Sequence, residues 1–281
     1  MSKAKEPTIQ NLFDLTGKVS IVTGGNGGIG RAIAMGLAEH GSDIVIAARN
    51  QKKTEHVVEE ILSMGRRCIG VQCDVLVRKD IIKTVDTAVK ELGELNVLVN
   101  NAGIGQGGEL PQDIALETWQ NVIGTNLTAP FMFSQIAYSS LVKSGGGKII
   151  NIGSLYSLSA AGGNAPYAAS KAGLWNMTRS MALDWGKNNI QVNMIVPGWH
   201  RTEMTEGVLE DPNSSSSYPS HMGKNKIISK TPAGRVGEPQ DLAGAAIFLA
   251  SRASDFMTGE YVRVDGGISA GDMAWPPSRD E

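Results

Sequence analysis

A short apolar segment near the start of the chain leads directly into a glycine-rich turn, and that turn leads directly into a helical pattern. Val19-Ser-Ile-Val-Thr23 has the β-branched content of a buried strand. Gly24 to Gly30 follow, and then Arg31 to His40 have helix-compatible apolar spacing that ends at Gly41. Such a turn lets the backbone approach a pyrophosphate, which the N-terminus of the helix attracts. The pattern predicts a dinucleotide site, although a packing role for the glycines is the alternative.

A second pattern places a phenol and an ammonium on one helix face. Tyr167 and Lys171 are separated by three residues in a segment predicted to be helical, so their side chains can converge. A free tyrosine titrates near pH ~10, and a nearby cation favours the phenolate and lowers the pKa of the phenol. The pair therefore predicts a proton-transfer group near neutral pH, whereas the same spacing in isolation also describes an ordinary surface pair.

Apolar runs alternate with helical periodicity along the whole chain. Strands are predicted near residues 18–23, 43–48, 67–73, 95–99, 147–152, 190–196 and 260–264. Helices are predicted near residues 28–40, 52–64, 78–92, 113–142, 165–188 and 239–250. This alternation predicts an α/β fold over residues 1–281: a single doubly wound Rossmann-type domain whose parallel sheet carries helices on both faces. Ligands bind such sheets beyond the carboxyl ends of the strands.

Five motifs occur in an order and spacing that resemble the short-chain dehydrogenase/reductase (SDR) family, from about Leu15 to about Gly267. They are Thr23-Gly24-x-x-x-Gly28-x-Gly30, Asn100-Asn101-Ala102-Gly103, Ser154, Tyr167-x-x-x-Lys171 and Pro197-Gly198. The resemblance implies a seven-stranded parallel sheet with strand order 3-2-1-4-5-6-7. It also implies an NAD(P)-dependent oxidoreductase, and a homotetramer or homodimer formed through the two longest helices and the C-terminal strand.

The resemblance further implies four catalytic residues, Asn126, Ser154, Tyr167 and Lys171. Ser154 would hydrogen-bond the substrate oxygen, Tyr167 would transfer its proton, and Lys171 would also hold the nicotinamide ribose. The carbonyl of Asn126 would hold a water molecule that passes protons to Lys171. Pro130 has no N–H to donate to that carbonyl, so the helix is predicted to bend there; an ordinary proline kink is the alternative.

The predicted cofactor contacts come from the glycine turn and the strand ends. They are Gly24, Asn26, Gly28, Ile29, Gly30, Arg49, Asp74, Val75, Asn101, Ala102, Gly103, Tyr167, Lys171, Pro197, Gly198 and Thr202. NAD-binding enzymes place an acidic residue about 20 positions after the glycine motif, but this chain has Ala48 and then Arg49 there. Arginine can bind a 2′-phosphate, and Lys52 and Lys53 would add positive charge. NADP(H) is therefore favoured over NAD(H), with loose specificity as the alternative.

Residues 203–230 show little clear periodicity and are predicted to form a lid or substrate loop. Basic residues in and after its later part favour an anionic substrate such as a sugar acid; they are Lys224, Lys226, Lys230 and Arg235. The predicted pocket walls are Ile104, Gln106, Leu155, Tyr156, Trp199 and His200. The predicted reaction is hydride transfer between NADP(H) and a secondary alcohol or ketone of a small polar or cyclic substrate. The alternatives are a 3-oxoacyl-[acyl-carrier-protein] reductase and a non-catalytic NADP-binding sensor.

Composition restricts the partners. A net charge of −2 argues against nucleic acid, and the longest strongly apolar stretch, Leu242 to Ala250, is too short to span a membrane. No histidine has a partner at metal-ligand spacing, so no metal is predicted. Cys68 and Cys73 are expected to be reduced core thiols on opposite faces of one strand, in a cytoplasmic protein. Residues 1–14 and 269–281 are predicted to be short extensions.

Overall fold

The computed structural model describes residues 9–105, 108–160, 162–210 and 223–270. Seven strands of this part form one parallel sheet in the order β3-β2-β1-β4-β5-β6-β7. The strands are β1 Val19–Thr23, β2 Asp43–Ala48, β3 Cys68–Gln72, β4 Val97–Asn100, β5 Gly147–Ile152, β6 Ile190–Pro197 and β7 Tyr261–Val264. The fold class and the strand order predicted above are confirmed.

Helices cover both faces of the sheet. In chain order the α-helices are α1 Gly28–Glu39, α2 Gln51–Ser63, α3 Arg78–Thr87, α4 Leu116–Ile123, α5 Ala129–Lys143, α6 Ala165–Trp185, α7 Glu203–Glu210, α8 Lys224–Lys230 and α9 Ala243–Ala250. One buried cluster joins the sheet to α1, α2 and α9, and the other joins it to α3, α5 and α6. In none of the described segments is there a helix that combines the length and the apolar character needed to cross a bilayer.

Neighbouring residues of a strand alternate between these two clusters, as the pleat of a strand requires. Val22 belongs to one cluster and Ile21 to the other. The two cysteines behave in the same way, because Cys68 packs in the first cluster and Cys73 in the second. Both are buried free thiols, and burial raises the pKa of Cys68 to about 12. Their expected placement on opposite faces is confirmed.

The helix predicted over 113–142 is interrupted in two ways. A separate 3-10 turn occupies Pro111–Asp113, and a π-helical turn occupies Gly124–Thr128 between α4 and α5. Pro130 follows that turn and cannot donate an α-helical hydrogen bond to the Asn126 carbonyl. The bend predicted at Asn126 is therefore present as a π-turn. Turns of this kind within helices occur often at functional sites.

Both ends of the segment 203–230 are helical, which its sequence did not indicate. It begins with α7 and ends with α8, and residues 211–222 lie outside the described part. The two helices share a small apolar cluster with one residue that follows them; its members are Val208, Leu209, Ile227 and Val236. Each helix alone is too short to have a strong periodic signal, and the buried partners come from different parts of the chain. The expectation of an irregular loop was wrong for these two ends.

Candidate active site

A cleft of about 580 Å³ lies beyond the carboxyl ends of the central strands. Its volume is within the range of about 300–1,000 Å³ that is typical of ligand pockets. All but one of the predicted site residues line it: Gly24, Asn26, Gly28, Ile29, Gly30, Arg49, Asp74, Val75, Asn101, Ala102, Gly103, Ser154, Tyr167, Lys171, Pro197, Gly198 and Thr202. Asn126 lies behind the wall, where its side chain is fully buried.

The glycine turn is packed so closely that side chains are excluded at its centre. A Cβ atom on Gly30 would lie 2.3 Å from the Gly24 carbonyl oxygen and 2.4 Å from Asn101 Nδ2. Gly24 has φ +62° and Gly28 has φ +48°, a backbone region that glycine adopts without strain. These glycines are therefore required both by the turn and by the close contact between β1 and the segment after β4.

Thr23 and Asn101 connect the turn to the neighbouring strand end. Thr23 Oγ1 accepts hydrogen bonds from the backbone N–H groups of Asn101 and Ala102, at 2.9 and 3.0 Å. Asn101 Nδ2 donates to the carbonyl oxygens of Thr23 and Gly24, at 2.8 and 3.2 Å. The Asn101 side chain thus fixes the loop backbone, which leaves the backbone of the Ala102–Gly103 segment facing the cleft.

Helix α1 begins at this turn without a side-chain cap. Its N-cap residue is Gly27, which lines the cleft and provides no side-chain hydrogen bond. The first N–H groups of a helix have no intrahelical partner, and the helix dipole gives this end positive character. The geometry consequently suits a phosphate group, and the open space beside Gly27 allows its close approach.

Tyr167 and Lys171 extend from the first turns of α6 into the same cleft. Lys171 Nζ lies 5.7 Å from the centroid of the Tyr167 ring and donates a hydrogen bond of 2.8 Å to the Ile152 carbonyl at the end of β5. Burial lowers the pKa of the Lys171 ammonium from 10.5 to about 8. The side chain is therefore mostly protonated at neutral pH, close enough to the ring to favour the phenolate.

Ser154 follows β5 and caps a 3-10 turn. Its Oγ accepts a hydrogen bond from the Tyr156 N–H at 3.2 Å, so the hydroxyl proton remains available for a further acceptor. The Tyr156 ring packs edge-on against the Tyr167 ring, with 6.0 Å between their centroids. Tyr156 thereby supports the orientation of Tyr167 from the side.

Asn126 holds the loop after β4 through its side chain. Its Oδ1 accepts from the Ile104 N–H, and its Nδ2 donates to the Ile104 carbonyl, both at 2.9 Å. Nδ2 also donates to Ser170 Oγ at 3.2 Å, one residue before Lys171. These contacts tie the π-turn, the cleft loop and α6 together.

The opposite end of the cleft, where β2 ends, carries positive charge. Arg49 is exposed there and lines the cleft, and it makes no ion pair with any of the described residues. Asn26 reaches across from the glycine turn and donates to the Asn50 carbonyl at 3.1 Å. Of the two lysines expected to add charge, Lys53 lines the cleft, where it forms an ion pair with Glu203, and Lys52 does not line it.

The predicted pocket walls are only partly confirmed as parts of the cleft. Ile104 and His200 line it, whereas Trp199 lines a smaller neighbouring cavity, and Gln106 lies outside the described residues. Leu155 and Tyr156 are beside the cleft but do not line it. His200 is buried, and this burial lowers the pKa of its imidazole. Within the described ranges, no group of three or more His, Cys, Asp or Glu side chains is placed to hold a metal ion.

The basic residues that favoured an anionic substrate do not line the cleft. None of Lys224, Lys226, Lys230 and Arg235 is among its lining residues. Arg235 instead forms a two-pronged ion pair with Asp241. The inference of an anionic substrate from these charges is therefore not supported by their positions.

Several lining residues were not expected from the sequence. They are Gly27, Ala47, Asn50, Cys73, Leu76, Asn121, Thr125, Ile152, Gly153, Glu203, Met204 and Thr205. Most of them are next to an expected residue, so proximity to a strand end was the available signal. Glu203, Met204 and Thr205 follow Thr202 and begin the segment predicted to be a lid or substrate loop, but their place in the cleft lining as part of helix α7 was not predicted.

The sheet, the glycine turn and the Tyr-Lys pair define a dinucleotide-binding protein of the doubly wound class. A family model described as enoyl-(acyl carrier protein) reductase matches residues 24–269. The chain belongs to the short-chain dehydrogenase/reductase family.

Known relatives match almost the full chain. A gluconate 5-dehydrogenase of Gluconobacter oxydans is 36% identical over 259 residues, which cover 92% of this chain and 97% of the relative. A 5-keto-D-gluconate 5-reductase of Escherichia coli K12 is 38% identical over 263 residues, which cover 92% and 98%. The solved structure of a gluconate 5-dehydrogenase from Burkholderia cenocepacia, in complex with NADP and tartrate, is similar with a TM-score of 0.85, 33% identity and coverage of 94% and 100%.

Proposed function

We propose that this protein is an NADP(H)-dependent oxidoreductase that interconverts a secondary alcohol and a ketone on a sugar-acid-like substrate. The observation that carries the proposal is the single cleft that holds both the glycine turn and the Tyr167–Lys171 pair. The names of the relatives support a sugar acid as the substrate, since two of them act on gluconate or 5-ketogluconate. Because Lys224, Lys226 and Lys230 do not line the cleft, the substrate assignment depends on the relatives.

The residues around the cleft fit a dinucleotide. The uncapped start of α1 suits a pyrophosphate, and Arg49 suits a 2′-phosphate. Asp74 and Val75 would contact the adenine, and Thr202 would contact the nicotinamide carboxamide. When bound, the cofactor supplies or accepts the hydride.

The chain's own residues would control the proton. In the oxidation direction, Tyr167 as phenolate would accept the proton of the substrate hydroxyl, and the carbon that bears this hydroxyl would lose its hydride to the bound cofactor. Ser154 would donate a hydrogen bond from its hydroxyl group to the substrate oxygen, and this bond would keep that oxygen near the phenol. Lys171 stabilises the phenolate and would also bind the nicotinamide ribose. Asn126, through a water molecule held near the π-turn, would return the proton to solvent.

Exposed apolar side chains support the proposal of a homotetramer or homodimer. On the helix faces away from the sheet, Leu183 is almost fully exposed and Phe131 is partly exposed. Phe256, which precedes the edge strand β7, is fully exposed. Light scattering coupled to size-exclusion chromatography tests this proposal directly, and a monomer at micromolar concentration would contradict it.

The function is tested with a panel of substrates, each assayed with NADP(H) and with NAD(H). The reaction is monitored by the absorbance of the reduced nicotinamide. The panel contains gluconate, 5-ketogluconate, cyclic alcohols and ketones, and an acetoacetyl thioester. Turnover of a sugar acid with preference for NADP(H) is the expected result. Turnover of the thioester alone would favour the acyl-carrier reductase alternative, and cofactor binding without any turnover would favour the sensor alternative.

A further inference from the structure

The first turn of α2 has a charge arrangement that is unfavourable for a helix. Lys52 and Lys53 lie at this end, and no acidic residue occurs in the turn. Because the N-terminal end of a helix already has positive character, cations are disfavoured there and anions are preferred. Asn50 caps the helix by accepting from the Lys53 N–H at 3.1 Å. Local rules of this kind are often broken where a site needs the charge.

Lys53 has a partner that is distant in sequence. Its ammonium pairs with the carboxylate of Glu203, the first residue of α7, and both residues line the cleft. The ion pair therefore joins the α2 side of the cleft to the beginning of the lid. About half of the Lys53 side chain and most of the Glu203 side chain remain exposed. Exposed ion pairs contribute little free energy, so a stronger anion can replace the carboxylate.

The charges at this corner act in opposite directions on an incoming phosphate. Arg49 and Lys53 are cationic and line the cleft, whereas Glu203 lines it as a carboxylate. A dianionic 2′-phosphate would be attracted by the two cations and repelled by the carboxylate. A free 2′-hydroxyl carries no charge and would be affected much less by all three.

We propose that Glu203 is a specificity-determining residue whose carboxylate occupies Lys53 until the 2′-phosphate of the cofactor replaces it. This inference rests on the proposed function for the identity of the phosphate ligand. Part of the attraction between Lys53 and the phosphate is then spent on breaking the Lys53–Glu203 pair. Glu203 therefore lowers the affinity for NADP(H) but not the affinity for NAD(H). The difference in affinity between the two cofactors becomes smaller as a result.

The test measures dissociation constants by titration calorimetry for NADP⁺, NAD⁺, 2′,5′-ADP and 5′-AMP. Glu203→Gln should tighten binding of the two 2′-phosphorylated ligands by roughly 3- to 5-fold, and change the other two by less than about 2-fold. Glu206→Gln is the matched control, because Glu206 is an exposed acid in the same helix and does not line the cleft. This control should leave all four constants unchanged.

A second pair of variants, made in the Lys53→Met protein, distinguishes two effects of the Glu203 carboxylate. One is its replacement by the phosphate at Lys53, and the other is its direct repulsion of the phosphate. In Lys53→Met the carboxylate has no ammonium to release, so adding Glu203→Gln should improve NADP⁺ binding by less than about 2-fold. An undiminished improvement in that background would overturn the exchange, and so would equal effects on NADP⁺ and NAD⁺. If the unmodified protein bound 2′,5′-ADP no better than 5′-AMP, the NADP(H) assignment of the proposed function would fail as well.

Discussion

Lys171 Nζ lies 5.7 Å from the centre of the Tyr167 ring, and the same ammonium donates to the Ile152 carbonyl at 2.8 Å. The helix spacing brings the two side chains together, and the end of β5 holds the charge in place. We therefore propose that the charge on Lys171 favours loss of the Tyr167 proton.

The pKa of Lys171 predicts a dependence of stability on pH. Burial lowers this pKa to about 8 in the folded chain, against 10.5 in the unfolded chain. Between these values the unfolded chain binds the proton and the folded chain does not, so the free energy of unfolding rises with pH. Below about pH 8 both states are protonated and the destabilisation is fully present.

The comparison with Lys171→Met isolates this contribution. Urea unfolding between pH 7 and pH 10.5 should show that the wild-type stability, relative to the variant, increases by on the order of 3 kcal/mol. The Tyr167 phenol is coupled to Lys171 and titrates in the same window, so both proteins are compared in a Tyr167→Phe background. The remaining titrating groups are common to both proteins and cancel in the difference. If the unfolding free energies of the two proteins changed in parallel between pH 7 and pH 10.5, Lys171 would have the same pKa in the folded and unfolded chains, which would contradict the prediction.

Gly30→Ala should damage the nucleotide turn. The added methyl group would lie 2.3 Å from the Gly24 carbonyl oxygen, which is part of the backbone and cannot move aside easily. We expect a loss of about 1–3 kcal/mol in unfolding free energy and weaker NADP⁺ binding. Gly186→Ala is the matched control, since its Cβ would meet no atom within 4 Å and its backbone is right-handed helical. Its thermal midpoint should not fall below that of the wild type.

Arg49→Ala should raise the dissociation constant of NADP⁺ by about 10-fold or more, because hydrogen bonds between a guanidinium and a phosphate are charge-assisted. The dissociation constant of NAD⁺ should change by less than about 2-fold, because NAD⁺ has no 2′-phosphate for Arg49 to bind. Lys52→Ala, an exposed neighbour outside the cleft lining, serves as the control. Equal weakening of both cofactors by Arg49→Ala would remove the basis for the NADP(H) preference.

Asn126→Asp should disturb the loop after β4. An ionised aspartate cannot donate to the Ile104 carbonyl, so that bond of 2.9 Å is lost and two acceptors face each other. We expect a loss of about 1–3 kcal/mol in unfolding free energy, and a larger effect on kcat than on the dissociation constant of NADP⁺. Ser170→Ala removes the Asn126 contact of 3.2 Å and the bond of 2.7 Å from the Ser170 hydroxyl to the Tyr167 carbonyl. It leaves both hydrogen bonds between Asn126 and Ile104 in place and should be milder in both measurements. An unchanged kcat for Asn126→Asp would argue against its role.

Much of the fold follows from the sequence because β1, the glycine turn and α1 are consecutive and each has a strong local pattern. The parallel order then follows from strand–helix alternation together with the family resemblance. Helix α7 did not follow, because its burial depends on Ile227 and Val236, which lie well beyond it in the chain. The π-turn at Gly124–Thr128 was expected only as a bend, since a proline indicates a lost hydrogen bond but not the geometry that replaces it.

The candidate site shows the same division. Residues at strand ends could be placed from the sequence because a parallel sheet brings those ends together. The position of a charged side chain could not be predicted in this way, and neither Lys224 nor Arg235 lines the cleft that their sequence position suggested. The ion pair of Glu203 could not be predicted either, because its partner Lys53 is 150 residues earlier in the chain.

The central claim is that Tyr167 transfers the proton in an NADP(H)-dependent reaction. It is tested most directly by the initial rate of NADPH oxidation with 5-ketogluconate, measured in the wild type and in Tyr167→Phe, together with the dissociation constant of NADPH. The account predicts steady turnover by the wild type and a loss of about 100-fold or more in the variant, with NADPH binding largely retained. Comparable turnover in Tyr167→Phe would contradict it.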